Sequence, residues 1–414
     1  MEPFLIGVYS LLFLTFVYKS KMFSIRYLRP STLVLFAAIK IFAALLYYWL
    51  YIEIPTFHDS EHYFRDGNVV FSAIQESPLY YLHLLLLPNN YFPEPEHLCS
   101  YIDDMGLWYD FTGYTIVRVN AFIRLFSFGY VSIHFLFFSF LSFIGAFYLF
   151  RFFAKVTTLS EYYILGVLFL VPEIVFWTSG LHKEALVLFS SGILIYNTYQ
   201  YSLRSSKWRL VLIIFSLAFL ANVRMYMTLI LLPALIAYYW NEKSKIKAII
   251  PYFVTYGVVL LSVIAYDVIA PNSKRLAYKI TEFQYVFINS TGNTSFPTEV
   301  VSNSWSRIIQ LFPEHFVNGF MYPLYNQCVS DWCRLSSIMS MILVGILVLS
   351  LFKIKYRYLL NNTIALFCFS IGFSLMGVIG VVVSNAGAIV RYRSIALIFI
   401  FIGLMVSFQK VTKA

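Results

Sequence analysis

The sequence contains little charge. Only 12% of its 414 residues are Asp, Glu, Lys or Arg, whereas soluble globular domains average about 25%. Hydrophobic residues make up 60% of the chain, and its mean hydropathy is +0.74. This composition excludes an ordinary soluble domain and predicts a polytopic membrane protein.

Cysteine is also scarce, with four residues in the chain. Cys328 and Cys333 stand five apart in a polar stretch, and we expect a disulfide between them outside the cytoplasm. A zinc site is the weaker alternative, because no second pair and no nearby histidine completes a ligand set. The first apolar run, Phe4 to Tyr18, lacks a basic start and a cleavage site, so we expect a retained helix rather than a signal peptide.

The net charge of +10 does not indicate nucleic-acid binding, because the basic residues form short clusters between apolar runs. Such clusters are typical of cytoplasmic loops, and they all fall on one side when the runs alternate across a membrane. This alternation predicts an N-terminus outside the cell and a C-terminus in the cytoplasm.

About eleven apolar runs are long enough, or nearly so, to span a membrane. We therefore predict an all-α, polytopic transmembrane helical bundle. We expect a single integral membrane domain over residues 1–414, because no internal repeat or low-complexity linker is apparent. The runs cover residues 3–18, 31–52, 130–150, 161–177, 185–201, 210–221, 223–240, 248–269, 336–352, 360–382 and 395–409.

The same alternation leaves two long segments outside, at residues 53–129 and 270–335. They hold most of the acidic residues, so we expect the functional face there. Within the first segment, residues 69–87 and 111–128 are too short or too polar to span, which predicts interfacial or re-entrant helices.

Ionisable residues are concentrated where the second apolar run ends. The stretch from Phe57 to Gly67 contains Asp59, Glu61 and Asp66. Charges at the edge of a hydrocarbon layer are costly unless they face protein or a wet cavity, so the cluster is a candidate functional site. We interpret Asp59 and Glu61 as candidate catalytic residues and Asp66 as a substrate-binding residue. A solvated loop of mixed charge is the alternative.

His58 and His62 stand four apart in the same stretch, so on a helix they would share one side with Asp59 and Glu61 near by. Such a group could hold a divalent metal. The spacing is a weak signal, and the cofactor requirement is left open.

A second polar stretch, from Trp177 to Glu184, separates two apolar runs on the outer side. Its Ser-Gly pair ending at Gly180 predicts a tight turn that directs His182, Lys183 and Glu184 back toward the membrane surface. We expect these three residues to bind substrate. Capping of the next helix is the alternative.

Arg224 joins two apolar runs that leave no room for a loop, so we expect it below the outer surface. A buried guanidinium needs a carboxylate or a phosphate, and a structural salt bridge is therefore the alternative to substrate binding. Arg391 and Arg393 precede the last run on the outer side, and we expect them to bind an anionic substrate; snorkelling to the interface is the alternative. Lys40 lies midway along the second run, which costs about 2.5–3.5 kcal/mol on insertion.

Together these motifs resemble the GT-C class of membrane glycosyltransferases. The similar features are the acidic residues in the first large outer loop, the interfacial helices after it, the stretch from Trp177 to Glu184, and the late Arg391-Tyr-Arg393 element. The chain differs from the usual pattern in having an extra span before that loop and Asp59-Ser-Glu61 in place of an adjacent acidic pair.

The resemblance implies transfer of a sugar from a polyprenyl-phosphate-linked donor on the exoplasmic face, in the assembly of cell-envelope glycans or glycolipids. It implies a lipid-linked sugar donor, membrane lipids and a glycan, lipid or protein acceptor as partners, and the bacterial inner membrane as the location. A carboxylate would take the proton of the acceptor hydroxyl while cations hold the phosphate.

Two other functions fit the same residues. A Wzy-like polysaccharide polymerase would join lipid-linked repeat units at the same face. A non-enzymatic flippase or transporter for an anionic glycolipid would need the cations but no base, and it would more often show two related halves with broken helices at the membrane midplane.

Overall fold

The computed structural model describes residues 1–25, 28–53, 58–89, 95–244, 246–271, 274–289, 294–354 and 356–408. Over these ranges the chain is helical, with two isolated bridges and no strand. The all-α prediction is therefore confirmed for the described residues. The helices are α1 (Glu2–Lys19), α2 (Pro30–Glu53), α3 (His58–Ser72), α4 (Pro78–Leu86), α5 (Cys99–Asp103), α6 (Phe111–Ser127), α7 (Val131–Val156), α8 (Glu161–Leu170), α9 (Pro172–Trp177), α10 (Lys183–Leu203), α11 (Lys207–Val223), α12 (Met225–Lys243), α13 (Ile249–Ile269), α14 (Leu276–Ile288), α15 (Trp305–Met321), α16 (Asp331–Leu351), α17 (Tyr356–Leu359), α18 (Thr363–Val382) and α19 (Ala386–Phe408).

Seven of these helices are long and apolar enough to cross a membrane, as expected of a membrane protein. They are α1, α2, α7, α13, α16, α18 and α19. The other predicted spans coincide with α10, α11, α12 and the pair α8 and α9. The total of eleven spans and the side of the membrane on which each loop lies stay predictions.

The span predicted over residues 161–177 is not one continuous helix. α8 ends at Leu170 and α9 begins at Pro172, with Val171 in an extended conformation between them. The break follows from the proline, which disfavours helical backbone in the residue before it. α9 ends at Trp177, and the non-helical residues 178–182 connect it to α10.

The chain divides into two compact units. The first comprises Met1–Phe153 and Leu168–Thr228, and the second comprises Ala154–Val167 and Leu229–Ala414. The prediction of a single integral domain over residues 1–414 stays untested.

Close helix crossings in the first unit depend on glycine. A Cβ atom on Gly192 of α10 would lie 2.0 Å from the carbonyl oxygen of Gly145 in α7, which no real side chain permits. A Cβ atom on Gly67 of α3 would lie 2.7 Å from Cβ of Asn120 in α6. The outer segment predicted at 53–129 therefore contains packed helices rather than a long loop.

The two helices predicted in that segment are joined to each other by tyrosines. Tyr81 of α4 donates a hydrogen bond to the carbonyl of Ala121 (3.2 Å), and Tyr114 of α6 donates to the carbonyl of Leu84 (2.9 Å). α6 thus matches the helix predicted over residues 111–128, whereas the helix predicted over residues 69–87 is divided among the end of α3, a short 3-10 helix at Ala73–Gln75 and α4. The interfacial location of these helices stays a prediction.

The second unit contains the most buried membrane helices, α18 and α19, with 78% of each apolar window covered by protein. α15 crosses α18 at Gly380, where a Cβ atom would lie 2.1 Å from the carbonyl oxygen of His315. Cys328 and Cys333 form the disulfide expected from their spacing.

Candidate functional site

The candidate site in the first unit is built around the loop of residues 178–182, which is buried throughout. A non-helical backbone among apolar helices must find hydrogen-bond partners inside the protein. Lys40 Nζ of α2 donates to the carbonyl oxygen of Thr178 (3.0 Å) and to its Oγ1 (2.7 Å). Ser60 Oγ of α3 donates to the carbonyl oxygen of Leu181 (3.1 Å). Side chains from two other helices therefore hold the loop near both of its ends.

His182 closes the loop and is buried, with 2% of its surface exposed. Its Nε2 atom lies 2.5 Å from the hydroxyl oxygen of Tyr47, a fully buried residue of α2. Gly180 allows this approach, because a Cβ atom there would lie 3.0 Å from the Tyr47 ring and 3.1 Å from the His182 ring. The predicted turn at Gly180 is present, but it directs His182 into the protein rather than toward the membrane surface.

The acidic cluster begins α3 and lies next to this loop. Asp59 and Glu61 are exposed, and they flank the buried Ser60 that bonds the loop. Asp66 differs from them, because it is fully buried and accepts hydrogen bonds from the backbone N–H of Leu107 (2.8 Å) and from the Arg65 guanidinium (3.3 Å). Asp66 thus ties α3 to the loop before α6.

Lys183 is the first residue of α10 and extends toward the start of α6. Its ammonium donates to Thr112 Oγ1 (2.7 Å) and lies 3.8 Å from the carboxylate of Asp110. Asp110 caps α6 by accepting a hydrogen bond from the backbone N–H of Thr112 (3.0 Å). The Lys183 side chain is 17% exposed, so this cation is partly open to solvent or ligand.

The groups around Asp110 change the pKa of its carboxyl group. Burial by itself would raise its pKa, but the Lys183 ammonium and the hydrogen bonds from Gly113 and Thr112 outweigh burial and lower the pKa below its ordinary value. Asp110 is therefore a carboxylate at neutral pH, and it holds Lys183 at the start of α6.

Glu184, the next residue of α10, is paired with Arg224. The Arg224 guanidinium donates to the Glu184 carboxylate and to the hydroxyl of Tyr226 (2.6 Å). The Arg224 side chain is 10% exposed and the Glu184 side chain is 2% exposed. Arg224 is the single non-helical residue between α11 and α12. A carboxylate is one of the two partners that its sequence position predicts, and here it comes from the helix that also carries Lys183.

Arg391 and Arg393 belong to the second unit, within α19 rather than before it. Arg393 is fully buried and donates to the carbonyl oxygens of Phe320 (3.0 Å) and Tyr322 (2.7 Å) and to Ser340 Oγ (2.6 Å). Arg391 is partly buried, and its guanidinium lies beside the hydroxyl of Tyr392 (3.2 Å). The substrate-binding roles of both arginines stay predictions.

Within the described part of the chain, no group of three or more His, Cys, Asp or Glu side chains is placed to hold a metal ion. His62 is exposed on α3, whereas Phe57 and the side chain of His58 lie outside the described residues. A metal site formed by His58 and His62 therefore stays an untested prediction.

Sequence reasoning missed several members of this network. Tyr47 carried no signal, because a tyrosine in an apolar run is most simply read as packing. Thr112 could have been found, since Asp110-x-Thr112 before an apolar pattern is a helix-start signature. Lys40 was conspicuous as a lone charge, but its partner lies 138 residues away along the chain.

Comparison with known proteins adds no family to this description: no protein-family model, curated protein or solved structure matches the chain. The fold and the site thus define an all-α membrane protein with a network of buried and half-buried ionisable side chains in its first unit.

Proposed function

We propose that this protein is a membrane glycosyltransferase that transfers a sugar from a polyprenyl-phosphate-linked donor to an acceptor hydroxyl. Asp59 is the proposed general base, with Glu61 as the second choice. Lys183 and the Glu184–Arg224 pair form the proposed phosphate-binding side. The exoplasmic face and a role in cell-envelope glycan or glycolipid assembly belong to the same proposal.

The observation that carries the proposal is the hydrogen bond from Ser60 Oγ to the carbonyl of Leu181. Ser60 is flanked by the two exposed carboxylates, and Leu181 stands two residues before Lys183. A base and a cation that are far apart in the sequence therefore lie on adjoining segments. Glycosyl transfer from a phosphate needs this combination, because a proton leaves the acceptor as negative charge develops on the leaving group.

In the proposed reaction, the acceptor oxygen attacks the anomeric carbon and forms the new glycosidic bond. The bond between that carbon and the phosphate oxygen breaks, and the electron pair leaves with the phosphate. Asp59 takes the acceptor proton. Lys183 stabilises the charge on the departing phosphate. Arg224 does the same when it exchanges part of its contact with Glu184 for a contact with the phosphate.

A flippase or transporter for an anionic glycolipid is a second candidate, and one observation favours it. The helix predicted over 161–177 is broken at Val171, and it is followed by the buried, non-helical residues 178–182. Broken helices that contribute backbone to a buried site are common in transporters. Transport requires the cations but no general base, so the two functions differ in their need for Asp59.

The test is the loss of the base alone. Asp59→Asn keeps the size of the side chain and removes the proton acceptor, so sugar transfer by purified protein should fall about 10²–10⁴-fold. Binding of a polyprenyl phosphate should change little, because the cations are untouched. Asp104→Asn is the matched control, an exposed carboxylate on the loop before α6, and it should keep full activity.

If Asp59→Asn and Glu61→Gln both retain full transfer activity, the acidic cluster is not the base. Retention of lipid translocation in vesicles by both variants, with no sugar transfer by the unaltered protein, would favour the transporter.

A further inference from the structure

Lys40 is a charged residue type in an unusual position. It lies ten residues after the start of α2, or roughly 15 Å along a helix that rises about 1.5 Å per residue, and only 1% of its surface is exposed. α2 is one of the helices that can cross a membrane. Lys40 is therefore near the middle of a helix that can cross a membrane, and a charged residue type in such a helix is costly and is usually retained for function.

Among the described residues, the side-chain nitrogen of Lys40 donates hydrogen bonds to one neighbour, and both acceptor atoms are neutral. Its Nζ atom donates to both the carbonyl oxygen and Oγ1 of Thr178. The Thr178 hydroxyl donates to the carbonyl of Ile174 (2.6 Å), so the lone pairs of Oγ1 are left to accept from Lys40. Among the described residues, no carboxylate forms an ion pair with Lys40. Charge neutralisation therefore does not explain this lysine.

What the contacts do explain is the conformation of the loop. Residues 178–182 are buried and non-helical, and a buried carbonyl without a donor costs about 1–3 kcal/mol. Lys40 satisfies the first carbonyl of this loop and Ser60 satisfies the carbonyl of Leu181. A long side chain is needed for the first of these bonds, because the donor must reach from one helix to the end of another.

We propose that Lys40 is a positioning residue: by holding Thr178, it sets the path of residues 178–182 and thereby the placement of Lys183 and Glu184. The positioning itself depends only on the structure. Its kinetic consequence rests on the proposed function, in which Lys183 and the Glu184–Arg224 pair bind the donor phosphate.

The test compares Lys40→Met with the unaltered protein in detergent micelles. Methionine fills a similar volume and avoids the cost of a charged side chain inside an apolar helix, which offsets the donor that the Thr178 carbonyl loses, so the melting temperature should change little. Amide hydrogen exchange across residues 178–183 should become about tenfold faster, because the loop loses two hydrogen bonds. The KM for a polyprenyl-phosphate-linked sugar should rise about tenfold, with a smaller change in kcat, since residues that act through others typically modulate binding to about this extent.

Ser139→Ala is the matched control. Ser139 of α7 is buried and donates to the backbone carbonyl of Lys40 (2.8 Å). Its replacement therefore removes a buried hydrogen bond at the same residue of α2 without affecting the bonds from Lys40 to the loop. It should leave loop exchange and KM unchanged. Thr178→Val removes one acceptor of Lys40, and it should speed exchange in the unaltered background but add nothing to Lys40→Met.

Unchanged loop exchange in both Lys40→Met and Thr178→Val would overturn the positioning role, whatever the activity of the protein. If Lys40→Met lowers both the melting temperature and kcat but leaves KM unchanged, the positioning role is also overturned, and Lys40 is a packing residue. If loop exchange is faster in Lys40→Met and the unaltered protein transfers no sugar, the positioning role is supported and the proposed function is overturned.

Discussion

The two compact units use their buried ionisable groups in different ways. In the first unit, buried Lys40 and Asp66 bind backbone groups, but Glu184 and Arg224 also form an ion pair between separate elements. In the second unit, buried charges bind backbone: Arg393 donates to carbonyl oxygens near the end of α15, and Asp267 accepts from the backbone N–H groups of Leu276 (2.6 Å) and Ala277 (3.0 Å) at the start of α14.

This difference separates charges that serve the fold from charges that can serve a ligand. A carboxylate that caps a helix, or a guanidinium that satisfies helix-end carbonyls, cannot leave without orphaning buried backbone groups. A guanidinium that contacts a carboxylate can exchange part of that contact for a phosphate, which offers the same geometry. The comparison places the proposed function in the first unit, and three changes would test it.

The largest effect on stability is expected from removing one side of the Glu184–Arg224 pair. Arg224→Ala leaves a carboxylate that is 2% exposed without its guanidinium. Loss of one member of a buried ion pair typically costs about 3–5 kcal/mol, and we expect a decrease of this size in the free energy of unfolding. Chemical denaturation in detergent micelles measures it.

The double variant Arg224→Met with Glu184→Gln serves as the control. It removes both charges, so most of the lost stability should return, while affinity for a polyprenyl phosphate should stay low. A double variant that binds the lipid phosphate like the unaltered protein would show that the pair is purely structural. The comparison between the units would then fail.

A smaller effect is expected in the second unit from Arg393→Met. The Phe320 carbonyl and the Ser340 hydroxyl lose the hydrogen bonds from Arg393, and the Tyr322 carbonyl keeps the one from Ser340. The free energy of unfolding should therefore fall by about 1–3 kcal/mol. The kinetic constants of the folded protein should not change. Arg391→Met is the control on the same helix, and its effect on stability should be smaller because Arg391 is less buried.

The opposite outcome for Arg393 is informative. A fall in donor affinity without a loss of stability would assign Arg393 to substrate binding, as its sequence position predicts. That result would remove the distinction drawn between the two units.

The smallest expected effect is a pH dependence of folding stability that comes from Asp110 at the start of α6. The pKa of Asp110 is lowered from its ordinary value of 3.8 in the folded protein, so its ionised form stabilises the fold. This contribution is complete above the unfolded-state pKa and is lost as the pH falls through the folded-state pKa. The difference in melting temperature between the unaltered protein and Asp110→Asn should therefore be constant near neutral pH and shrink as the pH falls below about 4.

Thr112→Val tests the same coupling from a neighbouring side. It removes one hydrogen bond to the Asp110 carboxylate and one from Lys183. The pKa of Asp110 should then be lowered less, so the melting-temperature difference caused by Asp110→Asn should disappear at a higher pH. A melting-temperature difference that stays constant over this pH range would contradict the coupling of Asp110 to Lys183.

Much of the helical structure could be predicted from the sequence, because hydropathy acts locally. Apolar runs such as residues 31–52 and 360–382 correspond to α2 and α18 with small shifts at their ends. The disulfide could be expected from the five-residue spacing of Cys328 and Cys333. The apolar run over residues 161–177 is divided between α8 and α9, and the signal for this break was present in Pro172.

The candidate site was only partly predictable. Asp59, Glu61 and Lys183 lie at the ends of helices where apolar runs stop, which local patterns can locate. Asp66 and Arg393 stand in equally polar motifs, yet both are fully buried and bonded to backbone. Nothing in their immediate neighbours distinguishes an exposed charge from one that the fold encloses.

The sequence by itself therefore determined the membrane class, most helices and the set of ionisable residues that needed partners. Only the tertiary structure decided the partners: Lys40 with Thr178 across 138 residues, and Arg224 with Glu184 across 40 residues. The physical reason is that hydropathy and backbone preference act over a few residues, whereas the neighbours of a buried charge are set by which distant helices pack against it.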